Sequence, residues 1–245
     1  MRADQLLVQR GLATTRSQAQ RLIASGVQWS DGAAWKSVAK NGDELPEAAQ
    51  LRLLDTAETR YVSRGGLKLE GALRATALDV RGWTCLDAGQ STGGFTDCLL
   101  QQGAARVVGV DVGQGQLHGK LRGDPRVTAF EKVNARHLDA AQVGRDFDLV
   151  TGDLSFISLT LVLPALVPLL KTGGELLMLA KPQFELQPAQ IGKGGLVKDP
   201  SLHAEVERRL RDCCTTLGLA VQGWHDSPIA GGDGNREFFI HARKP

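Results

Sequence analysis

Residues 83 to 95 read Trp-Thr-Cys-Leu-Asp-Ala-Gly-Gln-Ser-Thr-Gly-Gly-Phe. The apolar stretch up to Leu86 predicts a buried strand, and the glycines that follow predict a tight turn before a helix that begins near Phe95. Because glycine has no Cβ, the backbone of such a turn can come unusually close to a bound ligand. The stretch therefore predicts a strand, turn and helix that bind a nucleotide-like cofactor.

A second strand is predicted from Arg106 to Val112, and its carboxylate, Asp111, can accept hydrogen bonds from a ribose diol. A dinucleotide fingerprint would place glycine where Ser91 stands, so that the pyrophosphate can approach the backbone. S-adenosylmethionine has no phosphate and tolerates a hydroxyl there. The turn alone favours the methyl donor, and it leaves open NAD, with a dehydrogenase activity, or a plain glycine-rich loop.

Strands and helices alternate along the rest of the chain, which predicts an α/β fold with a Rossmann-like, doubly wound and mostly parallel sheet. Since the turn favours the methyl donor, the sheet is expected to be of the S-adenosylmethionine methyltransferase type. The carboxyl ends of such strands face one crevice, where ligands bind. Predicted strands end at Asp87, Asp111, Glu131, Asp153 and Lys181, and two more strands lie near Val221 and Phe238.

The first 55 residues predict a small α+β unit. Apolar residues recur at helical spacing in residues 4–11 and 15–25, and short extended pieces flank the turn dipeptide Asp31-Gly32. This order resembles the S4 RNA-binding domain. The resemblance implies that Arg16 and Arg21 meet RNA phosphates, with Arg10 and Lys36 as neighbours. Phosphate contacts of this kind give salt-dependent affinity with little sequence information.

Apolar periodicity lapses over residues 56–62, which predicts a linker. The expected organisation is an S4-like domain over residues 1–55, this linker, and a catalytic domain over residues 63–245. The net charge of the chain is only +2, but its first 30 residues carry four arginines and one acid, which is a local charge of +3. A nucleic-acid partner would therefore be bound through a local patch.

Four charged residues interrupt apolar or structured contexts in the larger region: Lys68, Asp153, Lys181 and Glu237. Taken singly, each fits a solvated position at the end of a helix or strand. In order and context they resemble the Lys-Asp-Lys-Glu tetrad of FtsJ-like ribose 2′-O-methyltransferases. Together with the S4-like start, the chain resembles the TlyA family, variously labelled haemolysins and ribosomal RNA methyltransferases, over essentially its whole length.

The resemblance implies methylation of a cytidine 2′-hydroxyl in ribosomal RNA, with S-adenosylmethionine as cofactor and ribosomal RNA or ribosomal subunits as partners. A ribose hydroxyl is a poor nucleophile, so a base must take its proton, and the resemblance assigns that role to Lys181. The neutral amine would be favoured by the donor sulfonium and Lys68, and opposed by Asp153 and Glu237. The sequence leaves this conflict open.

On the donor side, the resemblance assigns Asp111 to the ribose and Asn134 to the adenine, although Asn134 fits equally well as a helix cap. Gln90 stands where the family more often has alanine, and its side chain is expected to point to solvent. Residues 184–199, which include Lys193, are expected to form a flexible basic loop that closes over RNA. The turn residues assigned to the donor are Asp87, Gly89, Ser91, Gly93 and Gly94.

The sequence predicts neither a metal site nor a segment that inserts into a membrane. The four cysteines form no Cys-x-x-Cys pair and have no histidines at ligand spacing, so no metal site is predicted. The amino terminus lacks the apolar core of a secretion signal, and the most apolar run, residues 156–170, is too short to span a bilayer, which predicts a cytoplasmic protein without membrane contact. A membrane-active cytolysin and a non-catalytic RNA-binding protein remain the alternative functions.

Overall fold

The computed structural model describes residues 1–13, 15–54 and 60–245, apart from the side chain of Ser25. The chain divides into two compact units, residues 1–63 and 64–245. Residues 56–59 of the predicted linker lie outside the described residues. Within the described ranges, no helix is both long and apolar enough to cross a membrane.

The small unit consists of two helices and a three-stranded antiparallel sheet in the order β2-β1-β3. Helix α2 begins after Thr15, whose hydroxyl accepts a hydrogen bond from the backbone N–H of Gln18 at 3.2 Å. Gly26, at φ +115°, ends the helix and lets the chain turn directly into β1. The third strand, β3, was not predicted from the sequence. The elements are α1 (Ala3–Gln9), α2 (Arg16–Gly26), β1 (Val27–Ser30), β2 (Lys36–Ser37) and β3 (Gln50–Leu53).

The large unit is built on a seven-stranded sheet in the order β6-β5-β4-β7-β8-β10-β9. The first five strands of this order run parallel, and β10 runs antiparallel to both β8 and β9. The predicted doubly wound, mostly parallel sheet is therefore confirmed. Its strands are β4 (Thr84–Ala88), β5 (Arg106–Asp111), β6 (Val127–Glu131), β7 (Phe147–Gly152), β8 (Leu170–Ala180), β9 (Ala220–Asp226) and β10 (Phe238–Arg243).

The hydrophobic core of this unit lies between the sheet and the helices that cover it. Strands β4, β7 and β8 are buried along most of their length, because both faces of a central parallel strand are covered. The helices are α3 (Gly65–Thr76), α4 (Gly94–Gln101), α5 (Gly119–Arg122), α6 (Ala140–Val143), α7 (Leu159–Leu166), α8 (Pro182–Glu185) and α9 (Pro200–Thr216). The carboxyl ends of the parallel strands carry the polar residues that the sequence singled out.

Candidate active site

The glycine-rich turn after β4 adopts a backbone that only glycine fills easily. Gly89 has φ +83°, and a Cβ there would lie 2.9 Å from the carbonyl oxygen of Asp153. Gly93 has φ +95°, and its Cβ would lie 2.3 Å from a methyl of Leu121. Larger residues at either position would displace the neighbouring loop or helix. The turn thus keeps its backbone close to the end of β7.

Asp111, at the end of β5, joins two loops through backbone hydrogen bonds. One carboxylate oxygen accepts from the N–H of Ser91 at 2.8 Å, and the other accepts from the N–H of Gly113 at 2.6 Å. Ser91 has φ +47°, an uncommon conformation for a residue with a side chain, and the carboxylate of Asp111 holds it in place. Asp111 therefore shapes the turn as well as presenting a charge beside it.

A cavity of about 500 Å³ opens at this edge of the sheet. Its size and its mixture of apolar walls with a few polar groups are typical of small-ligand sites. The turn contributes Gly89 and Ser91, and the loop after β7 contributes Asp153. The remaining lining residues are Val110, Asp111, Val112, Gln116, Val133, Asn134, Ala135, Leu154, Ser155, Phe156, Ile157 and Val162.

These residues fit S-adenosylmethionine by the chemistry of the wall. A single carboxylate, Asp111, stands at the strand end where a ribose diol would be bound, and apolar side chains flank it as an adenine ring requires. Gly89 packs against the backbone of Asp153, and these two lining residues would face the methionine end. A pyrophosphate would meet the side chain of Ser91 at the position where a dinucleotide site has glycine.

Three of the predicted donor residues lie outside the cavity lining. Gly93 and Gly94 begin helix α4, and Asp87 is fully buried behind the turn, where it accepts a hydrogen bond from the Thr96 hydroxyl at 2.7 Å. Burial raises the pKa of Asp87 to about 7, although the hydrogen bond from Thr96 acts in the opposite direction. Asp87, Gly93 and Gly94 therefore shape the turn and do not line the cavity.

Asn134 takes one of the two roles that the sequence left open, that of a helix cap, and its position is compatible with the other. Its side-chain oxygen accepts a hydrogen bond from the N–H of Arg136 at 3.0 Å and so caps the single helical turn Ala135–His137. The residue also lines the cavity. The cap is observed, and the contact with adenine stays a prediction.

The four residues of the tetrad meet beside this cavity. Lys68 Nζ lies 2.6 Å from Glu237 Oε2 and 3.6 Å from Asp153 Oδ2, and Lys181 Nζ lies 2.5 Å from Asp153 Oδ1. The two lysine side chains and Glu237 are at most one-tenth exposed, whereas Asp153 is about one-quarter exposed. Asp153 thus bridges the two lysines and also belongs to the cavity wall.

Lys68 reaches this cluster because helix α3 is held against the loop before β10. A Cβ on Gly71 would lie 2.5 Å from the ring of Pro228, so only glycine permits this close packing. Arg64 donates a hydrogen bond to the carbonyl of Ala230 at 2.8 Å. Sequence reasoning missed both contacts, since they join residues more than 150 positions apart.

The sequence also missed the partners of Lys181 in the loop after β7. The Ser155 hydroxyl accepts a hydrogen bond from Lys181 Nζ at 2.8 Å. Phe156 is 90% exposed at φ +65°, and its ring centroid lies 5.0 Å from that of Phe184. An exposed phenylalanine in a left-handed conformation is visible only in the structure.

The prediction that Gln90 points to solvent is wrong. Its side chain is 6% exposed and donates a hydrogen bond to the Thr96 hydroxyl at 2.9 Å. The amide occupies the space beside Gly109, which has no side chain of its own. A polar side chain can be buried here because it finds a partner inside the fold.

The segment expected to be a flexible loop, residues 184–199, contains short helical turns tied to the rest of the unit. The buried carboxylate of Glu185 accepts hydrogen bonds from Ser158 Oγ at 2.6 Å and from the N–H of Leu159 at 2.7 Å. Asn235 accepts from the N–H of Val197 at 2.8 Å and donates to the carbonyl of Gly195 at 2.9 Å. Lys193 is exposed on the turn between these anchors.

The basic residues assigned to RNA in the small unit have protein partners. Arg16 begins α2, is about half exposed, and pairs with the buried carboxylate of Asp4 at 3.0 Å. Hydrogen bonds from Arg2 and Arg16 hold the pKa of Asp4 well below its usual range. Arg10 donates to the carbonyl of Glu47 at 2.5 Å, and Lys36 Nζ lies 4.8 Å from the ring centroid of Trp29. Arg21 also has an interaction within the protein.

Comparison with known proteins agrees with this geometry. The FtsJ-like methyltransferase family model matches residues 61–244. A 16S/23S rRNA (cytidine-2'-O)-methyltransferase TlyA of Mycobacterium tuberculosis is 46% identical over 99% of this chain and 89% of its own length. A putative rRNA methyltransferase YqxC of Bacillus subtilis is 44% identical over 100% of this chain and 86% of its own length.

A solved structure, a putative hemolysin from Streptococcus thermophilus, superposes with a TM-score of 0.77 and 41% identity, and the match covers 100% of this chain and 88% of that one. The family resemblance that the sequence motifs indicated is thereby confirmed. The donor turn, the cavity and the charged cluster all fall within the part of the chain that the family model matches. The chain belongs to the FtsJ-like methyltransferase family.

Proposed function

We propose that this protein transfers the methyl group of S-adenosylmethionine to the 2′-hydroxyl of a cytidine ribose in ribosomal RNA. One observation carries the proposal: Asp153 lines the cavity that fits the donor and at the same time contacts Lys68 and Lys181. The names of the rRNA methyltransferases to which the chain is similar support the nature of the acceptor. A hydroxyl placed at this junction would meet both the methyl group and an amine.

S-adenosylmethionine supplies an electrophilic methyl carbon on a positively charged sulfur. Lys181 is the residue we assign to take the proton of the ribose hydroxyl as the oxygen attacks that carbon. Ser155 and Asp153 contact its Nζ, and Lys68, which pairs with Glu237, contacts Asp153 from the other side. Positioning of reactants can contribute on the order of 7 to 11 kcal/mol, so we expect this arrangement to contribute to the rate.

Charge balance gives a physical reason for the neutral amine that a base requires. Two lysines and two carboxylates together carry no net charge. S-adenosylmethionine bound beside them would add one positive charge, and a nearby positive charge disfavours the charged form of an amine. An uncharged Lys181 amine could then accept the proton of the attacking hydroxyl.

We further propose that residues 1–55 form an S4-like RNA-binding domain, followed by a linker over residues 56–62 and the catalytic domain over residues 63–245. The two helices with a small antiparallel sheet support this assignment, as does the position of Arg16 at the start of α2. Arg10, Arg21, Lys36 and Lys193 are the further residues that we assign to RNA. Ribosomal subunits as substrate would place the protein in the cytoplasm.

The test is methylation of separated ribosomal subunits with isotope-labelled donor, followed by mapping of the label. Label on a cytidine 2′-oxygen of ribosomal RNA is expected, and the subunit that accepts it identifies the partner. Label on a base, on protein or on neither subunit contradicts the proposal. Because one similar structure is named a hemolysin, liposome leakage should be measured with the same preparation. We expect no leakage at protein concentrations that give full methylation.

A further inference from the structure

A buried chain of three polar residues supports the donor turn from behind. Gln90 Nε2 donates to Thr96 Oγ1 at 2.9 Å, and Thr96 Oγ1 donates to Asp87 Oδ2 at 2.7 Å. Gln90 is 6% exposed, and the other two residues are fully buried. Because the threonine hydroxyl has one proton, accepting from Gln90 leaves that proton for Asp87. The Gln90 amide therefore fixes the donor and the acceptor in both hydrogen bonds.

Gly109 provides the space that the Gln90 amide occupies. It lies on β5 opposite Asp87 of β4 in the parallel register. A Cβ on Gly109 would lie 2.0 Å from the side-chain carbon and nitrogen of the Gln90 amide, and 2.3 Å from its oxygen. Non-bonded heavy atoms do not approach a Cβ that closely in a folded protein, so any residue larger than glycine must displace the amide. Gln90 and Gly109 thus form a coupled pair.

The backbone of Gln90 is part of the turn that lines the cavity. Its N–H donates to the carbonyl of Val110 at 3.1 Å, and its carbonyl accepts from the N–H of Gly93 at 2.8 Å. Its two chain neighbours, Gly89 and Ser91, are both on the cavity wall. A displacement of the Gln90 side chain therefore moves the two residues that would touch the methionine end of the donor.

We propose that Gln90 is a positioning residue for the methyl donor. Its amide packs against Gly109 and orients the Thr96 hydroxyl toward Asp87, which holds the turn in place. This inference rests on the donor-binding half of the proposed function and is independent of the RNA acceptor. It assigns to Gln90 no contact with the donor or with the reacting atoms. Its effect should consequently fall on donor affinity more than on the rate at saturating donor.

The experiment measures S-adenosylmethionine affinity by calorimetry, without RNA, for Gln90→Ala, Gly109→Ala, the double variant and the parent. Gly109→Ala should raise Kd roughly tenfold, the loss expected when a turn held by about one buried hydrogen bond shifts. Gln90→Ala should raise Kd about threefold. The double variant should match Gln90→Ala, because Gly109→Ala acts only by displacing an amide that is then absent.

Two controls separate positioning from general stability. Ile240→Val removes one buried methyl from β10 and should lower the melting temperature without changing Kd. Thr96→Val keeps the shape of the side chain but removes the hydroxyl that joins Gln90 to Asp87. It should raise Kd as Gln90→Ala does. This variant tests the inference even if Gly109→Ala does not fold. The inference would be overturned by a double variant that binds the donor more weakly than Gly109→Ala, or by an unchanged Kd in both Gln90→Ala and Thr96→Val. A parent that binds no donor would overturn the proposed function as well.

Discussion

The donor turn and the charged tetrad lie side by side in the large unit, but they are built in opposite ways. The turn is continuous in sequence from Gly89 to Gly93, and two of its residues, Gly89 and Ser91, line the cavity. The tetrad joins α3, the loop after β7, the end of β8 and the start of β10. One region is local and the other is assembled by the fold.

The two regions also differ in their electrostatics. Asp111 is a charge on the cavity wall, at the position that we assign to the donor ribose, and apolar side chains such as Val110 and Val133 line the same wall. The tetrad instead packs two lysines against two carboxylates with little exposure. We therefore expect changes in the cavity to act on donor affinity and changes in the tetrad to act on turnover. The following experiments are ordered by the size of the effect expected.

The largest effect is expected for Lys181→Ala. Removal of the proposed base should lower kcat by roughly 10²- to 10⁴-fold, the range typical of general acid-base groups, while donor Kd stays within about threefold of the parent. Single-turnover methylation and calorimetry give the two quantities. Lys171→Ala is the matched control, because this lysine lies on β8, the strand that leads to Lys181, and pairs with Asp148 away from the cluster. Equal losses in both variants would refute the assignment.

Asp111→Ala tests the donor side of the comparison. Loss of the carboxylate that holds the N–H groups of Ser91 and Gly113 should raise donor Kd about 10- to 100-fold, and kcat at saturating donor should change far less. Glu131→Ala serves as control, since Glu131 accepts a hydrogen bond from Gly115 N–H at 2.8 Å but is not part of the cavity wall. A change in kcat with no change in donor Kd would show that Asp111 acts on turnover and not on donor binding.

Arg16→Ala tests whether the small unit contributes to RNA affinity independently of the donor turn and the tetrad. We expect subunit affinity to fall several-fold, the slope of log affinity against log salt to decrease by about 1, and donor Kd to remain constant. Asp4 keeps Arg2 as a partner in this variant. Arg81→Ala, an exposed arginine paired with Asp79 in the large unit, is the control. An unchanged salt slope would argue against a phosphate contact at Arg16.

The smallest expected effect concerns stability and pH. Burial raises the pKa of Asp87 to about 7, whereas the unfolded chain has a pKa near 4 at this residue. The folded state therefore keeps a proton that the unfolded state loses, and stability should decrease as pH rises from about 4 to about 7. Asp87→Asn should flatten this part of the profile of melting temperature against pH, and Asp79→Asn should leave it unchanged. Parallel profiles for parent and Asp87→Asn would contradict the assignment.

Much of the fold could be predicted because its signals are local. The apolar run before Asp87 and the glycines after it define a strand and turn within a dozen residues, and the same pattern recurs at Asp111. The short strand β3 was missed, because its exposed and half-buried residues give a weak alternation at the edge of a small sheet. The buried orientation of Gln90 was missed because it depends on Gly109, which lies on another strand.

The sequence by itself determined most of the strands and helices and the glycine turn, since each depends on neighbours close in the chain. The four charged residues were identified through the resemblance to the FtsJ-like family. Only the tertiary structure decided that Asp153 joins the donor cavity to both lysines, that Gly71 brings α3 onto Pro228, and that Gln90 is buried. The physical reason is that close packing sets these contacts through side chains far apart in sequence. No periodicity along a single strand or helix records which distant residue will fill a given space.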